Sequence, residues 1–236
     1  MCGPITGNDA CPDMFVDSEW APTDIDGCVL WLRSDLGVTM DGSNRVSLWE
    51  DQANSYNASQ STDAAKPVYV ANQLNGLPIL RWDGGDDYFD LTEITAARST
   101  WSCFCVGKAT GLTYNPIACG AGPSGPYPIF KSGTPIYVSD LAGYWGWTPS
   151  GDITNYCIIL SSNNAGTLRF TINDVAETVG NKVAFVSTGT YTAIGKRGTG
   201  LLQGDIAELI LYDNIISEAN EDVVLAYLSA RYGISL

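Results

Sequence analysis

Short apolar or alternating segments, separated by glycine, proline, asparagine and aspartate, recur along most of the chain. Residues 28–32 are almost wholly apolar, residues 38–40 and 46–48 alternate on either side of an Asp-Gly turn, and residues 156–161 and 206–212 are again apolar. Segments of this length and spacing are typical of antiparallel sandwiches rather than of alternating strands and helices. The sequence therefore predicts an all-β fold.

The same pattern predicts a second hairpin, in which the turn Asp83-Gly-Gly-Asp86 joins residues 79–82 to residues 88–91. The other predicted strands cover residues 101–107, 168–173, 183–187 and 191–195. The side chains predicted to lie in the core are Trp31, Leu48, Trp82, Phe104, Phe170 and Ile210.

Only the end of the chain has a helical pattern. Ser217 is a suitable N-cap, Tyr227 and Leu228 belong to an apolar repeat with helical spacing, and Gly233 stands where a C-capping glycine is expected. We expect one short helix over about residues 218–231.

Length and charge limit the organisation and the partners. The 236 residues suit one sandwich domain, and 26 acidic against 12 basic residues give a formal charge of −14. Such a chain repels polyanions, so neither nucleic acid nor an anionic membrane is expected as a partner. Residues 1–26 contain acidic but no basic residues and no periodic pattern. They are predicted to form an irregular acidic arm ahead of a domain over residues 27–236.

The cysteine content and the N-terminal sequence bear on the compartment. Seven cysteines are an odd number and no CxxC motif occurs, which favours reduced thiols over a zinc site. The N-terminal sequence lacks the basic and apolar regions of a secretory signal. We therefore expect a chain that is made in the cytoplasm.

Residues 109–151 interrupt the strand pattern with six prolines and seven large aromatic residues. Such a segment is either an insertion over the sandwich or a set of binding loops. Aromatic rings can stack on sugar rings, and they can equally cover a sandwich rim or a subunit interface. The candidate ligand-binding residues are Tyr127, Tyr144, Trp145 and Trp147.

Three acidic residues, Asp83, Asp86 and Asp87, cluster at the second predicted turn. Carboxylate oxygens at this density can hold calcium. The same residues are also ordinary turn formers, because aspartate side chains accept hydrogen bonds from nearby backbone N–H groups. Calcium is the one cofactor that the sequence suggests.

Histidine is absent, which removes Ser-His-Asp triads, Cys-His dyads and imidazole metal sites. A glycosidase would then need two carboxylates beside one bond. Asp205 and Glu208 are three residues apart in a predicted strand, and this odd spacing predicts opposite faces. We expect them to contact neighbouring strands or turns, and we expect no enzyme activity.

Several motifs extend over residues 27–88 and 194–233. They are GCVLWLRSD (27–35), VSLWEDQ (46–52), KP (66–67), NGLPILRWDGGDDY (75–88), IGKRG (194–198), GDIAELILY (204–212) and AYLSARYG (226–233). This set resembles the LamG-like domains of bacterial surface proteins and phage structural proteins. The resemblance implies a concanavalin A-like antiparallel β-sandwich, or jelly roll, with a short C-terminal helix.

Members of that superfamily include lectins, adhesion modules, glycosidases and virion parts, so the fold does not choose among functions. We expect a non-enzymatic virion structural protein, a phage capsid decoration or fibre component on the virion surface, with other virion proteins as partners. Alternatives are a carbohydrate-binding or adhesion module of a bacterial surface protein and, third, a glycosidase. Host-surface glycans and a second copy of the chain are further candidate partners. The large apolar residues of the arm either attach it to a partner or pack on its own sandwich: Met14, Phe15, Val16 and Trp20.

Overall fold

The structure is a computed structural model that describes most of the chain. The described residues are 20–97, 100–111, 115–119, 129–130, 136–140, 143–147, 153–165, 167–177 and 188–236. They form short 3-10 turns at Pro22–Asp24 and Asp63–Ala65, one helix, α1 (Glu218–Tyr232), and twenty strands. In chain order the strands are β1 (Cys28–Arg33), β2 (Val38–Met40), β3 (Val46–Trp49), β4 (Ala58–Ser59), β5 (Val68–Leu74), β6 (Leu77–Asp83), β7 (Phe89–Ala97), β8 (Thr100–Ala109), β9 (Asn115–Pro116), β10 (Ala118–Cys119), β11 (Ile129–Phe130), β12 (Ile136–Asp140), β13 (Gly143–Trp147), β14 (Cys157–Asn164), β15 (Thr167–Ile172), β16 (Val175–Ala176), β17 (Thr188–Ile194), β18 (Lys196–Arg197), β19 (Gly200–Leu201) and β20 (Gln203–Tyr212).

Two antiparallel sheets make up the sandwich. The eight-stranded sheet has the order β16-β15-β14-β8-β20-β6-β5, and β1 also pairs with β20. The six-stranded sheet has the order β10-β17-β7-β4-β3-β2. Three further sheets have two strands each, and they pair β9 with β11, β12 with β13 and β18 with β19. This is the antiparallel sandwich that the sequence predicts.

The core has two layers, one on each face of the eight-stranded sheet. On the inner face, Trp82 and Phe170 pack against the six-stranded sheet, whose Trp49 and Phe89 are fully buried. On the outer face, the apolar side of α1 covers Phe104 and its neighbours. Alternation of side chains along each strand supplies both layers from the same sheet.

The helix begins and ends almost as predicted. The Ser217 hydroxyl accepts a hydrogen bond from the Asn220 N–H at 3.2 Å, and Gly233 ends the helix with φ 65°. This left-handed conformation is one that glycine adopts without strain. No helix among the described residues is long and apolar enough to cross a membrane.

Of the two predicted hairpins, one is correct and one is wrong. Strands β2 and β3 form the predicted hairpin. The second predicted hairpin was wrong, because β6 lies in the eight-stranded sheet and β7 in the six-stranded one, so Asp83–Asp86 is a corner between sheets. The strand that forms a hairpin with β6 is β5, through Asn75 and Gly76, both of which have positive φ. That conformation at two consecutive residues is typical of a tight hairpin turn.

The predicted core is correct at five of its six positions. Leu48 is only half-buried, because Val46 and Trp49 take the inward positions of β3. Free buried thiols at Cys103 and Cys105 agree with the expected reduced state, and burial raises the pKa of Cys103 to about 12. The predicted strand at 183–187 lies outside the described residues.

Candidate functional site

The helix covers only part of the outer face of the eight-stranded sheet. Beyond it lies a cavity of about 620 Å³, which we call the outer groove. Its walls come from β5, β6, β20 and the end of β8, and its lining side chains include Val68, Val70, Arg81, Lys108, Gln203 and Asp205. Groove and helix thus share one face of one sheet.

A row of paired residues crosses the groove from strand to strand. Val68 on β5 is opposite Arg81 on β6, Arg81 is opposite Asp205 on β20, and Asp205 is opposite Lys108 on β8. Directly paired residues point to the same face of a sheet. The row places one carboxylate between two cations.

Asp205 is the centre of this row. It is 1% exposed, and its carboxylate accepts hydrogen bonds from Arg81 Nε at 2.7 Å, Arg81 Nη2 at 2.9 Å and the Tyr156 hydroxyl at 2.6 Å. Lys108 Nζ lies 3.5 Å from the same carboxylate and 4.4 Å from the centre of the Tyr156 ring. Burial alone would raise the pKa of Asp205, but these hydrogen bonds and positive charges outweigh it and lower the pKa. The surroundings of Asp205 therefore favour its ionised form.

Two glycines bring the strands close beneath this row. A Cβ atom at Gly107 would lie 2.3 Å from the carbonyl oxygen of Asp205, and one at Gly204 would lie 2.2 Å from the carbonyl oxygen of Lys108. Neither position has room for a larger residue, so the spacing between β8 and β20 depends on both glycines.

A β-bulge decides which way the second carboxylate of β20 points. The register between β20 and β8 shifts between Ile206 and Glu208, which adds one residue to β20. Ala207 and the partners of Glu208 lie on the outer face, as Asp205 does. The predicted placement of the two carboxylates on opposite faces was therefore wrong, because the extra residue of a bulge changes the alternation.

Glu208 nevertheless lies outside the groove, beneath α1. Its carboxylate accepts hydrogen bonds from Trp31 Nε1 at 2.7 Å, Tyr232 at 2.7 Å and Tyr227 at 3.0 Å, and Arg231 Nε is 3.5 Å away. Burial raises the pKa of Glu208, against the effect of these donors. The contact with Trp31 on the neighbouring strand β1 is of the expected kind, whereas the contacts with α1, which tie the helix to the sheet, were not expected.

The three predicted calcium ligands do come together, at one end of the groove. Carboxylate oxygens of Asp83, Asp86 and Asp87 all lie within 4.8 Å of one another. Asp83 and Asp87 also line the outer groove. Burial, and then the charges of Asp83 and Asp86, raise the pKa of Asp87 to about 7. The three neighbouring carboxylates repel one another, and a bound cation or a proton can reduce this repulsion.

The remaining predicted site residues belong to the aromatic segment and to the N-terminal arm. Tyr127 lies outside the described residues, and Tyr144, Trp145 and Trp147 lie on β13, which pairs with β12. Of the arm residues, Trp20 is described: it is half-buried, with its ring centre 5.2 Å from that of Tyr227 on α1. Trp20 thus packs on its own domain, which is the second of the two alternatives. The other three arm residues lie outside the described residues: Met14, Phe15 and Val16.

The groove itself was not predicted from the sequence. A usable signal was present, since Arg81, Lys108 and Asp205 are charged residues within otherwise apolar strands. A charge at such a position is costly unless it is paired, so each one predicts a partner. The partners could not be identified, because strand order and register are not written in the local sequence.

Comparison with known proteins supports the fold. No family model matches the sequence, and no curated protein sequence is similar to it. Trypanosoma rangeli sialidase has a similar structure, with a TM-score of 0.57 and 14% identity over 89% of this chain and 34% of that chain. Domain 4 of AbnA, a GH43 extracellular arabinanase from Geobacillus stearothermophilus, in complex with arabinotriose, is also similar. Its TM-score is 0.56 and its sequence identity 16%, over 75% of this chain and 92% of that chain. A third similar structure is the ligand binding domain of botulinum neurotoxin serotype D, in complex with N-acetylneuraminic acid. Its TM-score is 0.55 and its sequence identity 14%, over 87% of this chain and 52% of that chain.

The three similar structures bear on the fold of this chain. The chain spans about a third of the sialidase, about half of the neurotoxin domain's chain and nearly all of the arabinanase domain. With the sheet order described above, they agree with the predicted fold, an antiparallel β-sandwich with one C-terminal helix. At these sequence identities the likeness establishes the fold and leaves the function to be argued from the groove.

Proposed function

We propose that this chain is a non-catalytic carbohydrate-binding module and that its glycan lies in the outer groove. The observation that carries the proposal is the row of Arg81, Asp205 and Lys108 across the open part of the sheet. Saccharide sites need fixed polar groups beside an apolar surface, because a sugar ring has hydroxyls at its edge and C–H groups on its faces.

The row supplies the fixed polar groups. Arg81 and Lys108 are held by the buried Asp205, so little side-chain entropy is lost when a hydroxyl binds to them. Hydrogen bonds from a charged donor are stronger than those from a neutral one. Val68 and Val70 provide the apolar part of the wall. The proposal is also supported by two of the structurally similar domains, since the arabinanase domain was solved with arabinotriose and the neurotoxin domain with N-acetylneuraminic acid.

The test is calorimetric titration of a panel of oligosaccharides into the intact protein and into Lys108→Met. We expect at least one saccharide to bind, and Lys108→Met to bind it about tenfold more weakly, because one charge-assisted hydrogen bond is lost. Val68→Asp, which places a charge on the apolar wall, should also weaken binding.

Arg45→Met is the matched control for this titration. Arg45, whose side chain is 38% exposed, is likewise a cation paired with an aspartate, Asp41, between β2 and β3, and it does not line the groove. The Arg45→Met variant should bind the saccharide with the same affinity as the intact protein. If no saccharide binds, or if Lys108→Met and Val68→Asp bind like Arg45→Met while remaining folded, the proposal is wrong.

The virion role expected from the sequence stays a prediction, because none of the three solved structures described above is a virion protein. Trp20, one of the four residues assigned to attachment, is half-buried against Tyr227 of the helix. Co-sedimentation with purified particles tests this role, and absence of the intact protein from particles would contradict it.

A further inference from the structure

We infer that the outer groove selects uncharged saccharides over saccharides that carry a carboxylate. This inference rests on the proposed glycan binding and concerns the class of ligand. It comes from how the two cations of the groove are already engaged and from the carboxylates that line its end.

The side of Arg81 that best recognises a carboxylate is occupied. An arginine holds a carboxylate most strongly through two parallel N–H donors. Arg81 gives Nε and Nη2 to Asp205, at 2.7 and 2.9 Å. An acidic sugar would have to displace Asp205, which is 1% exposed and would then be buried without its main partner.

Lys108 is also engaged within the protein. Its ammonium group lies 3.5 Å from Asp205 and 4.4 Å from the centre of the Tyr156 ring. Two cations therefore share one carboxylate in the middle of the groove. They can still donate to a hydroxyl, since 43% of the Arg81 side chain and 24% of the Lys108 side chain are exposed.

The end of the groove opposes a further negative charge. Asp83 and Asp87 both line it, and Asp86 completes their cluster. The raised pKa of Asp87, about 7, agrees with this crowding. The whole chain carries a formal charge of −14, so an anionic glycan is also repelled at long range. A neutral sugar avoids both costs, and its hydroxyls can donate to Asp83 and accept from Arg81 and Lys108.

The experiment measures affinities for matched pairs, such as lactose against sialyllactose and galactobiose against digalacturonate, at about 20 mM and about 500 mM NaCl. The neutral member should bind at least about tenfold more tightly at low salt, and the ratio should shrink at high salt. The double variant Asp83→Asn, Asp87→Asn should lower the ratio, because it removes two lining carboxylates. Asp222→Asn, an exposed carboxylate on α1, is the control and should leave the ratio unchanged.

The outcomes separate the two claims. If acidic members bind as tightly as neutral ones in the intact protein, the inference is overturned while glycan binding stands. If the ratio is the same in the folded double variant and in Asp222→Asn, the carboxylates do not set it, and the inference is again overturned. If no member of any pair binds, the proposed function itself fails, and the inference with it.

Discussion

Asp205 shows how a single buried carboxylate depends on its neighbours. Arg81→Met would leave this residue, which is 1% exposed, with Lys108 and Tyr156 as its remaining partners. Breaking a fully buried ion pair costs roughly 3–5 kcal/mol. Because the Arg81 side chain is 43% exposed, we expect a smaller loss in the free energy of unfolding, about 2 kcal/mol.

Urea titration measures that loss. Arg45→Met, at a more exposed ion pair, should change stability by less than about 0.5 kcal/mol. The double variant Arg81→Met, Asp205→Asn should be less destabilised than the two single effects together, because the unpaired charge is gone. A loss for Arg81→Met no larger than for Arg45→Met would contradict this account of Asp205.

Asp87 gives a prediction for the dependence of stability on pH. Its pKa is about 7 in the folded protein and about 4 in an unfolded chain, since burial and the charges of Asp83 and Asp86 disfavour its ionisation. Between these values the folded state holds a proton that the unfolded state has lost, so the contribution of Asp87 falls as pH rises from 4 to 7.

Asp87→Asn removes this titration and imitates the protonated form. The stability of the intact protein minus that of Asp87→Asn should therefore decrease as the pH is raised through this window. Urea titrations of both proteins at several pH values measure the difference. A difference that is constant or that increases with pH would show that the carboxyl is not perturbed in this direction.

The cluster of three aspartates that includes Asp87 also gives a prediction for calcium binding. If calcium binds between Asp83, Asp86 and Asp87, it replaces the proton of Asp87 and relieves the repulsion among the three carboxylates. We expect the melting temperature to rise with added calcium and to return with chelator, and we expect no rise in Asp86→Asn. Equal melting temperatures in calcium and chelator would exclude the site.

At the scale of elements, the two sheets are held together by a group of aromatic rings. Trp82 on β6 is 1% exposed, and its ring centre lies 6.4 Å from that of Trp49 and 5.9 Å from that of Phe89. Trp82→Ala should lower the free energy of unfolding by about 3–5 kcal/mol because it leaves a cavity between the sheets. Leu48→Ala, at a half-buried position, should cost about 1 kcal/mol. Urea titration giving similar losses for both would show that the core has been assigned wrongly.

The elements that could be predicted from sequence are those whose signal is local. The caps at Ser217 and Gly233 and the Asp-Gly turn of the first hairpin each act within a few residues, and all three predictions were correct. The second hairpin failed because a corner between sheets uses the same glycines and aspartates as a turn within a sheet.

The candidate site was less predictable than the fold. The acidic cluster is local in sequence and was found, whereas the row of Arg81, Lys108 and Asp205 joins three strands that are distant in the chain. The bulge at Ala207 could not be anticipated either, because its extra residue is defined by the pairing of β20 with β8.

At the scale of the whole molecule, the outer face of one sheet is divided between a helix and an open groove. We predict that this groove binds without hydrolysis. Arg81 and Tyr156 engage the carboxylate of Asp205 and hold it ionised, and Glu208 is buried beneath α1, so these two acids cannot flank a glycosidic bond.

The assay for this prediction is hydrolysis of a panel of β-glucans and galactans, for which we expect no turnover. The variants Asp205→Asn, Glu208→Gln and Asp87→Asn serve as controls for any activity that does appear. Turnover that one of these substitutions abolishes would overturn the non-catalytic assignment.

The central claim is that the open part of the eight-stranded sheet is the glycan site. The measurement that tests it most directly is nuclear magnetic resonance of the backbone amides of the intact protein during titration with a bound neutral oligosaccharide. We predict that the largest chemical-shift changes fall at residues 68–70, 81–83, 108–110 and 203–205, which contribute the groove walls. Changes concentrated instead at residues 143–147, or on the helix surface, with the groove amides unaffected, would contradict the account.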